Sequence, residues 1–135
     1  SFSIDMRAQN NETMDILKEK ALKVFQDVEH LYNTKIDYIA TSLHAAIVND
    51  EAQEIMRKAI VQVLGNENCA SPIITSGGDD FHVYTIKNSQ LKATMIGLGC
   101  DLSPGLHHPK MTFNHEMLMT GSEILKEAAL IALKK

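Results

Sequence analysis

The spacing of the apolar residues changes twice within the first 43 positions, and this constrains the fold more than any other feature of the chain. Phe2, Ile4 and Met6 alternate with Ser3, Asp5 and Arg7, the period of two that turns one face of a strand towards a core. Asn10 and Asn11 then offer N-caps, and Met14, Leu17, Ala21, Val24, Val28 and Leu31 follow at intervals of three and four. That spacing predicts an amphipathic helix of about five turns ending near Asn33. Ile36, Tyr38 and Ala40 alternate again, so the block reads strand–helix–strand. Two strands and one helix cannot bury both faces or cover their edges, and a split crossover needs a further strand that the sequence lacks. The chain is therefore expected to be the C-terminal part of something longer.

After "SLHAAIVND" the pattern shifts. Asn49 or Asp50 is expected to cap a second helix with Ile55, Met56, Ala59, Ile60 and Val63 on its inner face and Gly65 just past its end. "SPIITS" reads as a short buried strand, broken by "GGDD", with a short helix from about Asp79 to Ile86. "ATMIGLG" reads as another buried strand. A long loop leads to Asn114 and a final helix carrying Met117, Ile124, Leu125, Ala128 and Ile131 on one side. The expected fold class is α/β (α+β).

Composition narrows the function. At 135 residues the chain holds about one ordinary core. A net charge of −4, with no basic run, argues against nucleic acid or an anionic membrane as partner. The apolar runs are too short to span a bilayer. Cys69 and Cys100 belong to no Cys-x-x-Cys motif, so reduced thiols and a cytoplasmic location are the expectation.

Two stretches carry chemistry. In "TSGGDDFHVYT" a strand ending in Gly77 and Gly78 and opening a helix would turn backbone N–H groups towards an anion, with Asp79 or Asp80 capping the helix. The plainer account is a glycine-rich turn with a capping Asp, and the stretch fits neither the Rossmann nor the P-loop spacing. In "GLHHPKM" Pro109 biases His108 towards extended backbone, where neighbouring side chains face opposite ways. One of His107 and His108 would then face a cleft, unless both are merely polar loop residues. His82 is placed to line the cleft of the Gly-Gly loop, and His44 lies at the junction of the two blocks. A metal site needs three or four ligands, and no His-x-Asp, Cys-x-His or Glu-Glu pair accompanies these histidines.

From about residue 48 onward, Val48-Asn49-Asp50 before a helix, Ser76-Gly77-Gly78-Asp79-Asp80-Phe81, Ile96-Gly97-Leu98-Gly99, His107-His108-Pro109 and the closing helix from Asn114 occur in a telling order. Together they resemble the C-terminal segment of the di-metal amidohydrolases and exopeptidases, the family of aminoacylase, carboxypeptidase G, hippurate hydrolase and the auxin-conjugate hydrolases. "SIDMRAQNNETMD" is similar to a strand and helix of that family's lid, or dimerisation, domain.

The resemblance implies two parts: residues 1–43 as half of a ferredoxin-like lid domain, and residues 44–135 as the C-terminal part of an α/β metallo-exopeptidase catalytic domain. It makes His107 a metal ligand, with Gly77, Gly78, Asn49 and, less directly, His44 near substrate. The implied cofactor is a divalent metal in the complete enzyme, zinc first, with manganese, cobalt or nickel as alternatives. The implied activity is hydrolysis of the amide bond of N-acyl amino acids or small peptides by a metal-activated water and a glutamate base, in a homodimer formed through the lid domain. The base and the other ligands are absent from this sequence, so the isolated chain is expected to be inactive. The alternative is a stand-alone α/β binding or interaction module without catalysis.

Overall fold

The computed structural model describes residues 1–41, 44–75, 77 and 79–134. Its elements are helices α1 (Asn11–Tyr32), α2 (Asp50–Leu64), α3 (Val83–Lys87) and α4 (Met117–Leu133), with 3-10 turns at Asn66–Asn68 and Asp80–His82. They fall into two compact units, residues 1–47 with 73–91 and residues 48–72 with 92–135.

The helix ends follow from local chemistry. The Asn10 side chain accepts the Thr13 N–H at 2.7 Å, satisfying a donor that has no partner within the first turn of α1. Asn33 closes α1 in the left-handed region, φ 46°, a conformation asparagine adopts more readily than most residues. Asn49 caps α2 through Ala52 N–H at 3.1 Å, and Gly65 ends it at φ 86°, where a side chain would be strained.

In the first unit α1 carries no fully buried residue. Its apolar stripe of Met14, Leu17, Ala21, Phe25 and Val28 is half-buried; Phe25 stacks obliquely on Tyr38 with ring centroids 5.8 Å apart, and the Glu29 carboxylate accepts the Ile36 N–H at 2.7 Å. The Asn11 side chain accepts the N–H of buried Ala45 at 2.8 Å.

The second unit holds a core between α2 and α4. Ala59, Ile124 and Ala128 are buried, with Ile55, Met56, Ile60, Val63 and Ile131 packed around them. Gly121 admits the Leu98 side chain so closely that an added Cβ would lie 3.0 Å from it. Glu51 pairs with Lys92, and the Asn49 N–H donates to the Ala93 carbonyl at 3.0 Å, fastening segment 92–93 to the start of α2.

The α/β expectation, with its half ferredoxin-like lid and α/β catalytic portion, is overturned. Among the described residues there is no sheet: Ser103 and Thr112 form an isolated bridge, and Ala45 is a single bridge position. Residues 1–7, 36–40 and 93–99 form no ladder, nor do the described residues of "SPIITS", whose Ser76 lies outside the described set. The physical reason is visible in segment 94–99, where half-buried Thr94, Ile96 and Leu98 alternate with exposed Met95, Gly97 and Gly99. Ile96 and Leu98 pack on the helical core, so the period of two correctly assigns inside and outside. It says nothing of a second backbone to pair with, and no described segment forms a ladder with it. Elsewhere the same pattern leaves apolar side chains in solvent, Phe2 at 79% exposure and Ile73 at 83%.

An acidic group on α2 yields a pH prediction. The Glu54 carboxylate accepts from Arg57 at 2.7 and 2.8 Å and lies 3.7 Å from Lys58. The Arg57 hydrogen bonds, joined by the positive charges of Arg57 and Lys58, hold its carboxyl below the ordinary 4.5, at about 2. A lowered pKa stabilises the folded form above 4.5, and this contribution is lost as pH falls from 4.5 through 2. The group is exposed, so salt screens the effect. Thermal melts followed by circular dichroism are expected to show Glu54→Gln flattening the acid limb between those pH values, less so in high salt. An unchanged limb would mean that the pairs contribute nothing in solution.

Candidate functional site

Residues 100–114 form a closed loop ahead of α4. Ser103 and Thr112 exchange backbone hydrogen bonds at 3.0 and 2.8 Å, and the Asn114 N–H donates to the Cys100 carbonyl at 2.8 Å. Within the loop two tight turns follow one another. His108 N–H donates to Gly105 carbonyl at 3.3 Å, and Met111 N–H to His108 carbonyl at 3.0 Å. Pro109 thus occupies the second position of its turn, the place its fixed φ suits. His107 occupies the third position of the preceding turn with φ 64°. The expectation that both histidines lie in extended chain and face opposite ways therefore fails at His107, whose backbone is left-handed.

The two imidazoles nevertheless differ. His108 Nδ1 accepts the Lys110 N–H at 3.1 Å, so that ring belongs to the turn. His107 is exposed and has no hydrogen-bond or ion-pair partner among the described residues. Downstream, the Asn114 side chain accepts the Glu116 N–H at 3.1 Å, and Phe113 meets His115 edge to face at 4.8 Å, leading into α4.

In the first unit, the Gly77 N–H donates to the Thr75 hydroxyl at 3.0 Å, so its donor is used within its own turn. Gly78 lies outside the described residues. Asp79 accepts the Phe81 N–H at 2.8 Å and caps the 3-10 turn, as the capping reading expects. His82, 2% exposed, turns inward: its Nδ1 lies 3.2 Å from the Ile47 carbonyl, and its own carbonyl accepts the Thr85 hydroxyl at 2.9 Å. The ring is a structural tie between position 47 and the helix. No sequence signal marks it, because its partner is 35 residues away. Beside it runs a groove of about 560 Å³ lined by Asp80, Phe81, Val83, Tyr84, Lys87, Asn88 and Leu91.

His44 is exposed and belongs, with Gly77, to the first unit; Asn49 and His107 belong to the second. Asn49 spends its side chain on the cap of α2. Among the described residues no three His, Cys, Asp or Glu side chains converge in a way that would hold a metal ion. One exposed imidazole does not make a metal centre, so the described residues do not fit one by themselves. No described helix is long and apolar enough to cross a membrane.

Comparison with known proteins adds one observation. Over 81 residues the chain is 27% identical to "Uncharacterized hydrolase y4tI" of Sinorhizobium fredii; the match covers 59% of this chain and 20% of that protein. The chain thus spans about a fifth of the length of the curated relative it matches. No family model matches the chain, and no solved structure does. The likeness supports a relationship to hydrolases and selects no particular family among them.

Proposed function

We propose that this chain is the C-terminal portion of a metal-dependent amidohydrolase that cleaves the amide bond of N-acyl amino acids or small peptides. The observation that carries the reading is the likeness to a hydrolase over 81 residues. The turn at Gly105–Met111 supports it, because it ties down His108 and leaves His107 free to serve as a ligand. On this reading the remaining ligands and the general base come from outside the present sequence, and the 135-residue chain alone hydrolyses nothing. Gly77, Gly78, Asn49 and His44 stand as candidate substrate contacts. Of these, Asn49 and Gly77 keep only part of their polar capacity for that role, since the Asn49 side chain and the Gly77 N–H already have local partners.

The test joins this segment to the N-terminal portion of such a hydrolase. The joined polypeptide is expected to release free amino acid from N-acyl amino acids when supplied with zinc, manganese, cobalt or nickel, and to stop on chelation. Hydrolysis that survives complete metal removal would overturn the metal assignment. Failure on every N-acyl substrate, with ester or other hydrolysis retained, would leave a hydrolase of another kind.

A further inference from the structure

We draw no further inference here: the strongest candidate, the groove beside buried His82 with Phe81, Val83, Tyr84 and Leu91 along it, is an apolar surface, and nothing in the structure shows what covers it.

Discussion

Ile124→Ala is expected to lower the stability of the second unit by about 2–5 kcal/mol, more than any other single truncation among the described residues. Ile124 is 1% exposed and, among the described residues, is the largest side chain that is fully buried. It sits between Ala59 and Ala128, small residues that let α2 and α4 approach but cannot expand to refill a vacated space. The loss therefore includes both the buried area and the cavity left behind. A domain's whole stability is about 5–15 kcal/mol, so the variant stands near the edge of folding. The measurement is denaturant unfolding followed by circular dichroism, with Leu130→Ala as the comparison. Leu130, 42% exposed on the same helix, is expected to cost about 0.5 kcal/mol or less. Equal losses at both positions would mean that α4 is not seated on α2 in solution.

The same helix shows what the sequence makes legible and what it hides. Ile124, Ala128 and Ile131 are read correctly as its inner side and Met117 is half-buried, but Leu125, grouped with them, is 55% exposed. Hydrophobic periodicity works by contrast between faces, and α4 has too little polar surface to supply it. The ends of α1 and α2 were legible to within a residue, because a cap is settled within three or four positions: of the pairs the sequence offers, Asn10 rather than Asn11 caps with Thr13 and Asn49 rather than Asp50 with Ala52, and Gly65 stands where positive φ is needed. Strands are the opposite case. The alternation in segment 94–99 assigns its faces correctly, yet a ladder depends on a second segment that alternation cannot reveal.

The candidate site divides in the same way. Asp79 and Asn49 act as caps and were recognisable as such from their places ahead of helical patterns. The inward turn of His82 depends on the distant Ile47 carbonyl and left no local trace. At the histidine pair, proline restricts only the residue before it, His108. Nothing in the sequence announces that His107 takes the third position of a turn with positive φ, since histidine is merely enriched there and not diagnostic. The pair's geometry thus comes from two successive turns rather than from an extended strand.

In a complete hydrolase bearing this segment, His107→Ala is expected to reduce activity by at least about a hundredfold, and His108→Ala by far less. Loss of a direct ligand should exceed the roughly 10–100-fold cost of losing a group that only orients one. The distinction rests on the turn. His108 Nδ1 is held by the Lys110 N–H, so its removal loosens residues 108–111 and is expected to act through the position of the loop. His107 has no partner among the described residues, and its ring is available. Because its φ is 64°, a backbone explanation must be separated from an imidazole explanation. His107→Asn does this: asparagine tolerates the left-handed region well but removes the ring. Activity and metal stoichiometry should fall together in both His107→Ala and His107→Asn, and metal content should be retained in His108→Ala. Recovery of activity in His107→Asn would show that the turn's backbone, not the ring, matters at this position. Equal loss of metal from the His107 and His108 variants would place both rings at the metal and end the assignment of His107 alone.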